Sequence, residues 1–147
     1  MKMDQIAFYC ATEKAEQYVK RTLGLSDAVW IKDTVTAEAY VAGHKTDQIN
    51  VAELQFCYDL GTELEILRYI AGPHWLMHKW QSQPFISHIG FHVHDWPDME
   101  NARLVQEVFK TSHTNPELVK NGKTYQYRIY EIGPATYWKF IKRVMPK

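Results

Sequence analysis

Three side chains in this sequence have the chemistry to share one divalent metal ion. Gln5, Glu65 and His88 each lie inside a run of apolar, strand-like residues rather than in a polar loop. A carboxylate inside such a run needs a partner, because a buried charge is costly on its own. An amide oxygen, a carboxylate and an imidazole from three strands can surround one ion. We therefore predict that these three residues meet at one site.

The segment that carries Gln5 is repeated in the second half of the chain. Residues 5–10 read Gln-Ile-Ala-Phe-Tyr-Cys and align without a gap with residues 88–93, His-Ile-Gly-Phe-His-Val. The alignment places Gln5 opposite His88, so a residue with metal-ligand chemistry stands at the same place in both copies. Such self-similarity indicates a duplicated half-domain.

Alternation within these segments assigns their polar residues to one face. Glu63 and Glu65 alternate with leucine and isoleucine, and His88 alternates with apolar neighbours in the same way. Successive side chains of a strand point to opposite faces of the sheet. The same rule places Tyr9 and His92 on the polar faces of their strands. We predict that these residues line a pocket beside the metal ligands.

The elements that position this pocket follow the pattern strand, helix and three strands, twice. A helix is predicted between the cap Thr12 and the stop Gly24, and a second one opens at Pro97. The second helix would carry Ala102, Val105, Val108 and Phe109. The predicted strands cover residues 4–10, 28–35, 37–43, 52–58, 62–69, 86–94, 109–114, 124–132 and 136–143.

This order predicts one α+β domain over residues 1–147, built from two βαβββ half-domains at about 1–72 and 84–147. Its mixed sheet would curl around a central pocket. Turns are predicted at Asp59-Leu60-Gly61 and Gly133-Pro134, and a short bridging turn of helix around Trp75 to Trp80. A polar loop is predicted from Lys45 to Asn50. Four further histidines are expected to face solvent: His44, His74, His78 and His113.

Composition excludes several classes of function. The 147 residues include 17 basic and 17 acidic ones, so the net charge is zero, and no basic run indicates a nucleic-acid surface. No stretch approaches the ~20 apolar residues that span a bilayer, and no signal peptide is recognisable. Cys10 and Cys57 lack metal or redox spacing and are predicted to be buried free thiols. A cytoplasmic protein that binds a small molecule is expected.

The duplication, the His-Ile-Gly-Phe-His-Val strand at 88–93 and the strand Gly61-Thr-Glu-Leu-Glu-Ile-Leu resemble the vicinal oxygen chelate superfamily. That superfamily contains glyoxalase I, extradiol dioxygenases, an epimerase, and fosfomycin and bleomycin resistance proteins. The resemblance covers nearly the whole chain and rests on the order and spacing of short motifs. It implies a homodimer. It also implies that the first and last strands of each half supply metal ligands, here Gln5, Glu65 and His88.

The fourth ligand position departs from the glyoxalase I set. Aligning Arg68 with Arg143 places Phe140 opposite Glu65, whereas alternation places Lys139 inward, with Trp138 and Phe140 in the core. Neither alternative supplies a carboxylate. Lys139, Trp138 and Phe140 all remain candidates for the pocket, with Lys139 able to bind an anionic substrate directly.

Two functions follow from the resemblance. The first is a glyoxalase-like lyase or isomerase that moves a proton on a small oxygen-chelating substrate. A divalent metal (Zn, Ni, Mn or Fe) would polarise the substrate, with Glu65 and Lys139 as catalytic residues. A dioxygenase would prefer two histidines and one carboxylate, which Gln5 disfavours. The second function is a protein of the bleomycin-resistance type, which sequesters a small molecule without any metal.

Overall fold

Alternation of buried and exposed side chains shapes most of this protein. In one segment Val35, Ala37 and Ala39 are buried, whereas the intervening Thr36 and Glu38 are exposed. A strand with this pattern has one face in the core and one in solvent. Of the residues that the structure describes, 59% lie in strands and 10% in helices. The computed structural model describes residues 1–43, 49–76, 83–118 and 124–144.

Within these ranges the chain forms eight strands, one α-helix and a turn of 3-10 helix. They are β1 (Lys2–Tyr9), α1 (Glu13–Thr22), β2 (Ile31–Val41), β3 (Ile49–Cys57), β4 (Glu63–Ala71), β5 (Phe85–Val93), β6 (Arg103–His113), the 3-10 turn (Pro116–Leu118), β7 (Thr124–Gly133) and β8 (Thr136–Val144). The two strands predicted at 28–35 and 37–43 are one strand, β2, because Thr36 continues the alternation without a break.

The eight strands form a closed barrel in the order β1-β4-β3-β2-β6-β7-β8-β5. The predicted α+β class with a mixed sheet curled around a central pocket is therefore wrong, since the protein is mostly strand and its sheet closes completely. Closure comes from the antiparallel pairing of β2 with β6, in which Val35 lies opposite His113 and Val41 opposite Gln106. A closed barrel leaves no unpaired sheet edge, so every strand has two neighbours.

The repeated segments lie side by side, because β1 pairs with β5. The pairing is antiparallel and places Ile6 opposite Ile89, Gln5 opposite Gly90, and Ala7 opposite His88. Each half then continues in the same way, with β1 parallel to β4 and β5 parallel to β8. The duplication thus brings Gln5 and His88 to adjacent strands, next to the strands that carry Glu65 and Lys139.

The helix predicted in the second half is wrong, since residues 94–102 form only bends and turns and β6 follows. Val105 and Val108 are buried three residues apart, which is the spacing of a helix face. Two irregularities explain this spacing: the register with β7 shifts at Val105, and the register with β2 shifts at Phe109. Each β-bulge inserts one residue and resets which side chains point inward.

The helix predicted in the first half is confirmed as α1. The Thr12 hydroxyl caps it by accepting a hydrogen bond from the Ala15 N–H at 3.1 Å, and Gly24 follows its end with φ +71°. Ala15 and Val19 pack on the outside of the barrel. Of the helices in the described residues, none is long and apolar enough to cross a membrane.

The predicted hairpin turn before β4 is also confirmed. The Gly61 N–H donates to the Tyr58 carbonyl at 3.1 Å, and Gly61 has φ +79°, which favours glycine. In the other predicted turn, Gly133 pairs with Thr136 across Pro134 and Ala135. These turns set where β4 and β8 begin, and hence the heights of Glu63 and Lys139 in the barrel.

One end of the barrel is closed by aromatic side chains. The His74 ring stacks on Tyr69 with centroids 4.1 Å apart, so the prediction that His74 faces solvent is wrong. Tyr9 and Phe85 pack beside them, and the Trp75 ring meets Tyr69 edge-on at 5.4 Å. The rest of the predicted bridging turn of helix, His44, His78 and residues 45–48 of the predicted polar loop lie outside the described residues; the end of that predicted loop, Ile49 and Asn50, instead begins β3. Cys10 and Cys57 are buried free thiols, as predicted.

Candidate functional site

The barrel encloses a cavity of about 310 Å³, lined by the inward faces of its strands. Its more exposed lining residues, Tyr58, Glu117 and Arg143, lie at the end where β1 and β4 begin and β8 ends. The opposite end is filled by the aromatic side chains around Tyr69 and Trp75. The cavity is therefore a one-ended pocket whose volume is at the lower end of the ~300–1,000 Å³ of small-molecule sites.

Gln5 and His88 face each other inside this pocket. The His88 Nε2 and the Gln5 Oε1 are 3.0 Å apart, and the Gln5 Nε2 donates to the Glu63 Oε2 at 2.5 Å. Burial lowers the pKa of His88 well below its ordinary value of 6.5, and the Lys139 ammonium lowers it further. His88 is therefore neutral at pH 7, and its Nε2–H donates to Gln5.

The other nitrogen of His88 completes a chain of hydrogen bonds. With Nε2 protonated, Nδ1 has a lone pair and can accept from the Ser87 hydroxyl at 3.0 Å, a hydroxyl that also lies within donating distance of the Ala7 carbonyl at 3.3 Å. At the far end of the chain the Tyr58 hydroxyl donates to the Glu63 Oε1 at 2.8 Å. Every donor thus points toward the Glu63 carboxylate, which fixes the orientation of both Gln5 and His88.

A glycine makes room for this arrangement. Gly90 faces inward between His88 and His92, directly opposite Gln5 on the neighbouring strand. A Cβ at Gly90 would lie 2.6 Å from the Gln5 Cβ and 2.5 Å from its Oε1, closer than side chains approach. This steric limit explains why the second copy of the repeat has Gly90 where the first copy has Ala7.

The structure settles which residue of β8 faces Glu65. The Lys139 Nζ lies 4.0 Å from the Glu65 Oε2 and 4.3 Å from the centroid of the Tyr127 ring. Phe140 points to the outer face of the barrel, where it stacks on Phe91. The register of β8 with β5 pairs Lys139 with Gly90, which also faces inward. Lys139 therefore occupies the position at which the resemblance predicts a fourth ligand.

Glu65 is a buried carboxylate with an incomplete set of partners. It is 2% exposed, and its Oε2 accepts no hydrogen bond from the residues that the structure describes. Burial raises the pKa of Glu65 above its ordinary value of 4.5; the Lys139 ammonium opposes this rise, and the Glu63 carboxylate adds to it. A polar ligand in the cavity would find an available acceptor at this oxygen.

The remaining predicted pocket residues divide between the cavity and its surroundings. Glu63 and His92 line the cavity, and the His92 Nδ1 is 2.6 Å from Asp4 near the open end. Tyr9 lies in the aromatic cluster of the closed end. Trp138 packs on Phe91 outside the barrel, as Phe140 does, because both alternate with the inward Lys139. The structure thus places Tyr9, Trp138 and Phe140 outside the cavity lining.

One residue of the cavity was predicted to face solvent. His113 lines the pocket at the end of β6, where it pairs with Val35, and its Nδ1 contacts Asp33. The sequence contains a signal for this pair, because Asp33 alternates with Val35 and Ala37 and so shares their buried face. A carboxylate on an otherwise apolar face needs a partner from another strand.

The spacing of Gln5 and His88 suits a metal ion, but the charge of the site does not. Two neighbouring ligands of one ion lie about 3 Å apart, which the 3.0 Å between Oε1 and Nε2 matches. The Lys139 ammonium, however, is 4.0 Å from Glu65. At ~4 Å two unit charges of one sign repel by about 4 kcal/mol near a protein surface, and a divalent ion doubles this.

The arrangement of the possible metal ligands also argues against a divalent ion at this site. In the described part of the chain, no three His, Cys, Asp or Glu side chains are arranged to hold a metal ion. The Glu63 carboxylate is already engaged by Gln5 and Tyr58. The residues present therefore do not fit a divalent cation while Lys139 is charged.

The buried, neutral His88 predicts a pH-dependent stability. As the pH falls below 6.5, the unfolded chain protonates His88 before the folded protein does, so stability falls as the pH falls. The loss is about 1.4 kcal/mol per pH unit. Urea unfolding of the wild type and of His88→Gln should give curves of stability against pH that run parallel above pH 7.5 and converge below 6.5. Parallel curves over the whole range would contradict this assignment.

Comparison with known protein families and with curated proteins found no match for this chain. The resemblance to the vicinal oxygen chelate superfamily therefore stays a prediction.

Proposed function

We propose that this protein binds a small polar organic molecule inside the barrel without a metal ion, through Glu65 and Lys139. The observation that carries the proposal is the Lys139 ammonium, which stands 4.0 Å from the Glu65 carboxylate in the place of a fourth metal ligand. The metal-dependent lyase or isomerase expected from the resemblance stays a prediction, and the charge of the site disfavours it.

The walls of the cavity support binding of an organic molecule. Val35, Ala37, Leu67 and Ile129 line it with apolar surface, and the polar lining residues include Glu65 and Lys139. Small-molecule sites commonly combine an apolar wall with a few convergent polar groups. The apolar wall supplies affinity, and the polar groups select which ligand binds and how it is oriented.

The Glu65–Lys139 pair is suited to a hydroxyl group. An oxygen placed between the two side chains can lie about 2.8 Å from both the Lys139 Nζ and the Glu65 Oε2, because these atoms are 4.0 Å apart. Such a hydroxyl accepts from the ammonium and donates to the carboxylate. A carboxylate ligand in the same place would be repelled by Glu65, so the pair favours uncharged ligands.

The test is a binding screen on chelator-treated protein. Trp75 lines the cavity, and its ring centroid lies 6.0 Å from that of His88, so its fluorescence should report a bound molecule. With small aromatic alcohols and acids as probes, we expect micromolar to millimolar binding without metal. The Lys139→Met substitution should weaken the tightest probe at least tenfold, since a charged hydrogen bond contributes ~1.5–3 kcal/mol.

The matched control is Lys142→Met on the same strand. Lys142 lies on the outer face, where its Nζ is 5.6 Å from the centroid of the Trp96 ring. This substitution should leave probe binding unchanged. The proposal fails if no probe binds the metal-free protein, or if both lysine substitutions have equal effects.

A further inference from the structure

A second polar group faces the same cavity from the far wall. The His113 Nδ1 lies 2.6 Å from the Asp33 Oδ2, and the Asp33 side chain is fully buried. Asp33 also accepts hydrogen bonds from the Thr114 N–H and hydroxyl and from the Asn115 N–H, at 2.8–2.9 Å. Burial raises the pKa of Asp33, but these hydrogen bonds, that from His113 foremost, more than offset it and keep the pKa low. Asp33 is therefore an ionised carboxylate that holds the imidazole in place.

The other nitrogen of His113 has no partner among the described residues. Its Nε2 is buried, and the ring lines the cavity. Because Nδ1 donates to Asp33, a neutral ring carries a lone pair on Nε2. In the neutral ring Nε2 is therefore an acceptor that lacks a donor among the described residues.

We infer that His113 is a second recognition point and that the ligand is an uncharged, apolar frame bearing two hydroxyl groups. One hydroxyl would donate to the His113 Nε2, and the other would bind between Glu65 and Lys139. This inference rests on the proposed function, since it names the class of molecule that the same cavity takes. The internal repeat does not include His113 and therefore predicts no binding role for it.

The wall between the two recognition points is apolar. Glu65 is on β4 and His113 on β6, three strands apart around the barrel, which is about 14 Å along the wall and less across the interior. The strands between them present Leu54, Val35 and Ala37 to the cavity. A rigid ring system between two hydroxyl groups would lie against this surface.

Three compounds with the same naphthalene ring system test the inference. Their affinities for the wild-type protein are measured by calorimetry. The compounds are 2,6-dihydroxynaphthalene, with two donors, 2-naphthol, with one, and 2,6-dimethoxynaphthalene, with none. We expect affinity to fall about tenfold at each loss of a donor, because each loss leaves a buried polar group in the cavity without its hydrogen bond. The His113→Phe substitution should lower the affinity for the diol to that for 2-naphthol and leave 2-naphthol unchanged. The exposed His94→Phe should change neither.

The outcomes separate this inference from the proposed function. Equal affinity for the diol and 2-naphthol would overturn the role of His113, with water alone meeting its Nε2, and would leave binding in the cavity intact. Binding of other probes in the fluorescence screen, with none of the naphthalenes bound, would overturn the diol class alone. No binding in either experiment would overturn both. If His113→Phe does not fold, the three affinities measured on the wild type still test the role of His113. The ¹⁵N chemical shift of the His113 Nε2 gives a second test, because the diol should change it and 2-naphthol should not.

Discussion

Replacing Lys139 with glutamate should give this protein a divalent-metal site that the wild type lacks. We expect the Lys139→Glu protein to bind Co(II), Ni(II) or Zn(II) at least about a thousandfold more tightly than the wild type. A factor of a thousand corresponds to about 4 kcal/mol, so this gain requires only a part of the electrostatic change. The effect is large because one substitution removes a repelling ammonium and adds a carboxylate.

The geometry of the pocket supports this expectation. Gln5 Oε1 and His88 Nε2 are already 3.0 Å apart, and Glu65 faces Lys139 across 4.0 Å. The substitution would complete a set of two carboxylates, one imidazole and one amide oxygen, which suits these metals. Two unit charges ~4 Å apart interact by about 4 kcal/mol near a protein surface. A divalent ion therefore gains several times RT when the ammonium is removed, and several times RT again when the carboxylate is added.

Cobalt absorption is the most direct measurement, because the d–d bands of Co(II) report the number and type of its ligands. Titration of chelator-treated Lys139→Glu protein should produce bands that the wild type does not show. The Lys142→Glu substitution, on the outer face of the same strand, has the same change in net charge and should produce none. Tight metal binding by the wild type would contradict our account of Lys139 and would restore the metal-dependent enzyme as the better function.

The arrangement of this site was predictable where it depended on local alternation and on the repeat. The repeat alone placed Gln5 and His88 in equivalent strands, and their strands do pair. Alternation within β8 was enough to point Lys139 inward, although the ungapped alignment with the first half pointed Phe140 there. The strand register is the same in both copies, since Ala7 pairs with Glu65 and its counterpart Gly90 pairs with Lys139, so the alignment of Arg68 with Arg143 was displaced by one residue.

Closure of the barrel and the role of His113 were not predictable in the same way. Closure depends on the pairing of β2 with β6, two strands about 70 residues apart in sequence, and no local pattern encodes a partner strand. The bulges at Val105 and Phe109 gave β6 a helical spacing of apolar residues. That false helix hid the first half of β6, so only residues 109–114 were predicted as a strand and the inward orientation of His113 was missed.

The second large effect concerns the contribution of the Glu65–Lys139 pair to the stability of the folded protein. We expect the double substitution Glu65→Leu with Lys139→Met to raise the free energy of unfolding at pH 7 by about 1–4 kcal/mol, as found when buried ion pairs are replaced by apolar groups of similar volume. Glu65→Leu alone should lower it by about 3 kcal/mol, because it leaves the Lys139 ammonium buried without a counter-charge. Lys139 is 12% exposed and Glu65 is 2% exposed, so little of either charge is solvated.

The pKa of Glu65 determines how the double variant's gain in free energy of unfolding depends on pH. The folded-state pKa of Glu65 is raised above its ordinary value of 4.5, so the contribution of this group is fully present below pH 4.5 and is lost as the pH rises through the folded-state pKa. The double variant has no such group. Its advantage over the wild type should therefore be smaller at pH 4.5 than at pH 7.

Urea unfolding of the wild type, both single variants and the double variant at these two pH values would complete a double-mutant cycle. Arg103→Met provides the control, because Arg103 pairs with Glu131 at the surface with its side chain 62% exposed, and such pairs contribute only ~0–1 kcal/mol. A double variant less stable than the wild type would show that the pair stabilises the fold. We expect the opposite, together with loss of binding of 2,6-dihydroxynaphthalene, because a costly pair that remains in a cavity is best explained by the ligand that it recognises.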